Sequence, residues 1–486
     1  MSGGLLSQTF ALSLGKLLAS LSTLLTTALL TRLLSVGEYA DYRLMMMLFN
    51  LAAPALILGV PQALFVALAS ESSGRQRAAV LEALCLLTLT GGLLALLALC
   101  SLEAFTVGLS AERRMALSLP LALLALSSMP KHALPPPLIS LGRVKLLAVY
   151  QVISQLISAL LICLGAWLWA SAEASLWSAA LGAGISLLAG LRLAHQVLGR
   201  ATERAQVTLT GVWALLCLGV PVGLARLFGT LSQQLDKYMV AQRFEPEAFA
   251  VYVTGAMELP AVTIVTGALS SVLLPRLAAH FKRGEYREMG ALWRSMIEKT
   301  SLLLLPIMWG TLCLGDELID ALFPADYGAA AVPFKIYALL LPLKCAVYGS
   351  VLIASGRGLW VTLSSLSALL LNIILNLVFI EWIGIHGPAW ATVITAYLST
   401  ALLMTPLCKL FKVGVAQLAG WGALLKVSLT SALPLPLILA LEGGLCSDWA
   451  ALTRLLCLGS LYVLSVGALY LLTGLIRSPR ERSPKP

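Results

Sequence analysis

Along this chain, apolar residues gather into long stretches parted by short polar joints. Hydrocarbon about 30 Å thick is crossed by roughly 20 residues of apolar helix, and a span must satisfy its own backbone hydrogen bonds, so each stretch predicts a transmembrane helix. The pattern predicts fourteen, at approximately 10–34, 44–69, 79–102, 115–139, 146–170, 176–198, 211–233, 249–275, 300–322, 331–354, 360–380, 386–408, 422–441 and 450–475. The expected fold class is therefore an all-α integral membrane protein.

Composition agrees, because 59% of the 486 residues are hydrophobic and 12% charged, too much apolar surface for any soluble packing to hide. The net charge of +10 raises the question of nucleic acid, but the basic residues follow topology instead. Counted over alternate joints, nineteen, among them Arg75, Arg143, Arg200, Arg276, Arg283, Arg357, Lys409 and Arg480, lie on one side. Five, Arg43, Arg113, Arg114, Lys237 and Arg243, lie on the other. That bias predicts cytoplasmic termini in a bacterial inner membrane and no nucleic-acid partner. The nine cysteines fall almost entirely inside spans, as with Cys85, Cys163, Cys217 and Cys345, and read as small hydrophobes without a disulfide framework. The first span lacks a cleavage pattern and is expected to be retained.

Compared with itself, the chain repeats. Shifted by 210 residues, the outer joint from Leu34 to Tyr42 meets Phe244 to Tyr252, pairing Ala40 with Ala250 and Tyr42 with Tyr252. Shifted by 214, Leu138-Ile139 with Gly142-Arg143 meets Leu352-Ile353 with Gly356-Arg357. These matches predict two six-helix bundles, residues 1–205 and 206–415, related by an axis along the membrane normal, then two additional spans at 416–475 and a basic tail at 476–486. The long inner joint from Arg276 to Lys299 alternates basic residues with Leu277, Phe281, Leu292, Trp293 and Met296, a pattern that predicts a helix lying on the inner leaflet.

Polar groups at bilayer depth are costly and mark water, partners or substrate. Span 1 places Lys16, Ser20, Thr23 and Thr27 on one helical face, and the 210 shift sets them against Arg226, Thr230, Gln233 and Lys237. Lys131 precedes Pro135-Pro136-Pro137 in span 4, and Lys344 follows Pro342 in span 10 with Tyr337 and Tyr348 beside it. The expected substrate-binding cations are Lys16, Arg226, Lys131 and Lys344, with Ser20, Thr23, Thr27, Thr230, Gln233, Tyr348 and Asn372 lining a cavity. For Lys131 and Lys344 snorkelling or a structural role stays open, and for Asn372, interhelical hydrogen bonding. Glu258 in span 8 either neutralises Arg226 or carries a coupling ion. Cations outnumber acids at this depth, so the cavity is expected to attract an anion.

No phosphate-binding Gly-x4-Gly-Lys loop and no His-Glu-x-x-His zinc motif occur, and the four histidines are scattered. Neither a catalytic residue, a metal nor a cofactor is expected, and the chain reads as no enzyme.

Leu235 to Val240, Leu322-Phe323-Pro324-Ala325-Asp326-Tyr327-Gly328 and Gly384 to Thr392 together resemble the polysaccharide transporters of the multidrug/oligosaccharidyl-lipid/polysaccharide flippase superfamily, over about residues 5–475. The resemblance implies two bundles around a cationic cavity and alternating access that moves an undecaprenyl-diphosphate-linked oligosaccharide, an anionic lipid-linked partner, from inner to outer leaflet for surface polysaccharide biosynthesis. It leaves room for other polysaccharide-assembly membrane proteins as partners. Peptidoglycan-precursor flippases of the same superfamily use two extra helices for a lipid-tail groove, which implies such a role for the last two spans here. Leu17 after Lys16 departs from their pattern. A cation-coupled exporter of small molecules is the alternative, and an assembly enzyme a more distant one.

Overall fold

The computed structural model describes residues 2–70, 73–100, 102–106, 109–198, 207–418, 420–444 and 449–475. Every regular element among them is helical: α1 (Ser2–Leu33), α2 (Val36–Ile57), α3 (Val60–Ser70), α4 (Ser73–Cys100), α5 (Ala111–Ser128), α6 (Pro135–Ser140), α7 (Val144–Trp169), α8 (Ala172–Leu198), α9 (Leu209–Arg243), α10 (Pro246–Gly255), α11 (Pro260–Lys282) and α12 (Tyr286–Leu322). There follow α13 (Ala331–Ala338), α14 (Leu341–Lys344), α15 (Tyr348–Ala354), α16 (Gly358–Ile383), α17 (Gly387–Phe411), α18 (Val415–Leu418), α19 (Trp421–Ala432), α20 (Leu435–Gly443) and α21 (Ala451–Leu472). Eight helical stretches among the described residues are long and apolar enough to cross a bilayer, and two bent helix pairs would raise the number to ten.

The chain divides into two compact units, residues 1–250 and 251–486. The seventh predicted span, α9, thus joins the first six, where the sequence set the division at 205, because α9 packs on α2, α3 and α4. The contact is backbone on backbone. Gly59 has φ +67°, and a Cβ there would stand 2.1 Å from the Gly219 carbonyl oxygen. In the same unit α7 lies along α1 and α8, and small residues set the α7–α8 approach: Gly165 faces Ser178 and Gly182 faces Ser158. Close packing of this kind replaces the hydrophobic drive that lipid cannot supply.

In the second unit α12 is the centre, packed by α11, α13, α19 and α21. The two additional spans, α19–α20 and α21, are fixed to it by buried polar contacts. Tyr462 donates to the carbonyl oxygens of Pro306 and Ser431, both at 3.1 Å, Ser431 and Tyr470 hydroxyls meet at 2.8 Å, and the Trp309 indole donates to Ser428 at 3.0 Å.

The expected leaflet helix at 276–299 is not formed. Its first part extends α11 to Lys282, Gly284 turns the chain at φ +71°, and Tyr286 starts α12. The apolar positions that suggested a lipid-facing stripe meet protein: Leu277 and Trp293 are fully buried in the core of this unit, and Phe281, Leu292 and Met296 pack partly buried against it. Trp293 stacks on Phe411 with centroids 5.8 Å apart and donates its indole N–H to the Ala346 carbonyl oxygen at 2.6 Å.

The sequence repeat has a backbone counterpart. Arg143 N donates to Leu138 O, and Arg357 N to Leu352 O, each at 2.8 Å, across glycines with φ of +72° and +70°. Phe244 N bonds Val240 O at 3.0 Å as Leu34 N bonds Leu30 O at 2.9 Å, and Tyr42 and Tyr252 are both buried.

Candidate functional site: polar groups at helix breaks

Prolines interrupt three predicted spans, and Lys131, Glu258 and Lys344 sit where they do so. Span 4 is α5, a 3-10 turn at Pro130–Ala133, then α6. Proline lacks an amide donor and cannot continue the ladder, which is why 135–137 starts a new helix instead of extending the old one. Lys131 lies in that turn, partly buried. Among the described residues no carboxylate pairs with it.

Spans 8 and 10 of the second unit are broken likewise. α10 and α11 meet at a bend of 44°, and the segment 325–338 meets 341–354 at 45°. Glu258 lies in the irregular stretch before Pro260, and Lys344 ends α14 just ahead of Val347, whose φ is +42°. The two breaks are bridged: Lys344 Nζ donates to Glu258 Oε1 at 2.5 Å, with side chains 34% and 45% exposed. Glu258 therefore has Lys344 as its partner, which neither sequence alternative named.

The remaining candidates are distributed as follows. Side chains of Lys16 on α1 and Arg226 on α9 lie outside the described residues. Ser20 and Thr27 are partly buried, while Thr23 is exposed. The Thr23 hydroxyl donates to Ala19 O at 3.0 Å and accepts from Gln155 Nε2 at 3.3 Å. That bond brings the first-span polar face against Gln155 of α7, as a hydrated or helix-bridging stripe requires. On α9, Thr230 is partly buried and the Gln233 carbonyl accepts from Lys237 Nζ at 2.8 Å.

Two of the residues expected to line a cavity are buried. Tyr348 is 7% exposed and packs edge-on against Trp293 at 5.8 Å, inside the apolar core. Asn372 is fully buried. It donates to Thr392 Oγ1 at 3.3 Å and its Oδ1 accepts from Asn376 Nδ2 at 2.9 Å, joining α16 to α17. A buried amide on a helix interface satisfies itself first against neighbouring helices, and here it does.

Buried carboxylates are what the sequence reading passed over. Asp236, fully buried on α9, accepts from its neighbour Lys237 through Oδ1 and leaves Oδ2 without a donor. Glu82 is 1% exposed and accepts from Arg75 at 3.1 Å and from Thr208 Oγ1 at 2.9 Å and N at 3.0 Å, tying α4 to the segment that enters α9. Glu82 interrupts an apolar run, the same signal that singled out Glu258, whereas Asp236 stands among Gln233, Gln234 and Lys237. At the joint between α1 and α2, Arg113 forks to Glu38 at 2.5 Å and Asp41 at 2.8 Å, and Glu38 also accepts from Ala172 N at 2.6 Å. Burial works against the Arg113 charge, yet these two carboxylates outweigh it and hold its pKa above the ordinary arginine value. With Lys237 on Asp236 and Arg114 on Glu103, these three basic residues of the sparse side each meet an acid locally.

The sequence profile of the family described as "Polysaccharide biosynthesis protein" matches residues 5–281, and that of "Lipid II flippase MurJ" matches residues 153–458. A curated relative, the "Probable low-salt glycan biosynthesis flippase Agl15" of Haloferax volcanii, is 24% identical over 155 residues, 30% of this chain and 32% of its own length. Among solved structures, "Lipid II flippase MurJ, inward closed conformation" superposes with a TM-score of 0.73 at 16% identity, over 96% of this chain and 99% of that one. An inward-facing multidrug resistance MATE family transporter of the MOP superfamily gives 0.63 at 10% identity, over 81% and 96%. The last two likenesses establish a common fold.

Proposed function

Because this chain belongs to the polysaccharide biosynthesis protein family of the multidrug/oligosaccharidyl-lipid/polysaccharide superfamily, we propose that it flips an undecaprenyl-diphosphate-linked oligosaccharide across the bacterial cytoplasmic membrane by alternating access. Both termini face the cytoplasm in this reading. The observation that carries it is the placement of Lys131 and Lys344 one residue apart in the repeat register, each at a helix break inside its span. Irregular backbone at membrane depth is tolerated against protein or water, so a break that presents an ammonium supports a hydrated anion site. Lys344 is shared with Glu258, so Lys131, together with Lys16 and Arg226 on the first helix of each repeat, supplies three cations for a diphosphate. In a site of reduced dielectric each would contribute a few kcal/mol. No bond in the substrate needs to be made or broken, so binding and release are the whole chemistry required of these residues.

A second reading is favoured by the match to the lipid II flippase profile and fold: the cargo is a peptidoglycan precursor. The diphosphate is common to both, and the sugars differ. Complementation of strains lacking either flippase separates them, with membrane abundance checked for each variant. Lys16→Ala, Arg226→Ala and Lys131→Ala should insert normally and fail to support export, and Lys16→Arg should retain it because charge dominates shape at a hydrated site. Wild-type export by all three alanine variants would overturn the cationic-site reading.

A further inference from the structure

We propose that Glu317 and Glu442 together bind a single exchangeable proton, forming a proton site between α12 and the two additional spans. The inference goes beyond the flippase reading, since it rests on side chains of the second unit alone.

Glu317 is 3% exposed near the end of α12, and its Oε2 has no donor within reach. α20 packs on α12, and the partly buried carboxyl of Glu442, in the last turn of α20, faces Glu317. Two ionised carboxylates can only accept, so the contact is repulsive until one of them carries a proton and donates. The same requirement explains the orphaned Oε2, because the missing donor is an O–H that arrives with that proton. An acid sharing its proton with a carboxylate is a known consequence of placing two such groups side by side.

The surrounding charges count the same way. Asp316 also faces this site, and it is held by Lys335 of α13 in an ion pair. Arg454, in the first turn of α21, faces Glu442, and its Nε is buried without an acceptor. Cys313 on α12 also faces Glu317 and Glu442, and Asp320, on the exposed side of α12, lies beside Gly328. Setting Asp316 against Lys335 leaves Glu317 and Glu442 against Arg454, two acids and one base. One proton makes the cluster neutral, which burial favours strongly. Glu442 is the member that reaches solvent, so the proton exchanges through it. Neither a divalent cation nor a second base is needed, and among the described residues no group of side chains suited to a metal occurs.

Infrared difference spectra of the full chain in lipid nanodiscs, recorded while pH is stepped through neutrality, report the carbonyl stretch of protonated carboxyl groups. The wild type should show such a band where isolated surface carboxylates, with pKa values of about 4, are already ionised. The band should vanish in Glu442→Gln and in Glu317→Gln and persist in Glu258→Gln, whose site on α10–α11 is separate. Glu442 is only partly buried, so its variant keeps the test open if Glu317→Gln fails to fold, and an unchanged unfolding transition checks this. Absence of a protonated carboxyl in the wild type at neutral pH, or a band of wild-type intensity in Glu442→Gln, would overturn the proposal.

Discussion

Lys344 and Glu258 meet at 2.5 Å although 86 residues separate them, and each stands at the point where its own predicted span breaks. An ion pair joining two helix breaks ties together segments that lack a continuous backbone ladder of their own. It also reduces the cationic excess predicted for this region, since one of the four expected cations has a local counter-ion.

Removing the pair should change transport more than folding. With side chains 34% and 45% exposed, screening limits its worth to under about 1 kcal/mol, so Glu258→Gln should leave the unfolding temperature in detergent nearly unmoved. If Glu258 carries the coupling ion, the same variant should uncouple transport from the proton or sodium gradient. Transport by Glu258→Gln that responds to both gradients as the wild type does would exclude that role.

Much of this was legible in the sequence where local chemistry decides. The Gly142-Arg143 and Gly356-Arg357 matches mark helix ends with the same positive-φ turn and the same closing bond, a conformation glycine adopts without a Cβ penalty. Prolines announced the breaks at 135–137 and 342. What sequence alone did not resolve was which surface an apolar stripe meets. Leu277, Leu292 and Trp293 recur at spacings that suit lipid or protein equally, and the start of α12 turns inward because Phe411 and Ala346 are there to receive Trp293. Tyr348 packs against Trp293 for the same reason. The pairing of Glu258 was hidden because several cations were equally plausible partners until the fold chose one.

The outer-joint fork gives a stability test. Arg113 is shared between Glu38 and Asp41 at 27% exposure, and Arg113→Ala would leave two partly buried carboxylates facing each other. A loss of about 1–3 kcal/mol in unfolding free energy is expected. Arg113→Lys should recover only part of it, because a single ammonium lacks the planar fork that reaches both acids. Equal stability of the lysine variant and the wild type would show that the fork geometry contributes nothing.

Glycine substitutions separate strain from crowding. Gly142 has φ +72° with open space around its Cβ position, whereas Gly59 has φ +67° and backbone of α9 at 2.1 Å. Alanine at 142 should cost roughly 1 kcal/mol from the left-handed backbone alone. At 59 the helices must also move apart, adding about 1–3 kcal/mol. Thermal unfolding of the two variants in one detergent decides, and a Gly59→Ala shift no larger than that of Gly142→Ala would contradict the close α2–α3 to α9 crossing.

Topology is open to chemical labelling. The basic-residue bias predicts that the joint before α10 faces outward and the turn between α11 and α12 faces the cytoplasm. Glu245 and Arg283 are both exposed, so cysteines at these places should be reachable from water. Against a background with the native cysteines replaced, an impermeant thiol reagent added to intact cells should modify position 245 and spare 283. The reverse pattern would invert the assignment.

Trp293 decides between a leaflet helix and a structural one for the start of α12. Its ring is fully buried, stacked on Phe411, edge-on to Tyr348 and hydrogen-bonded to Ala346. Trp293→Ala would empty a large volume in the core of the second unit, at an expected cost of about 3–5 kcal/mol. Trp293→Phe keeps a stacked ring but strands the Ala346 carbonyl, which should cost about 1–2 kcal/mol plus the smaller loss of packing. The ordering wild type, phenylalanine, alanine in unfolding temperature is specific to a buried, hydrogen-bonded indole. A tryptophan resting in the headgroup region would give both variants the wild-type unfolding temperature in detergent while weakening the grip of the segment on lipid. Equal temperatures for all three proteins would return residues 286–299 to the membrane surface.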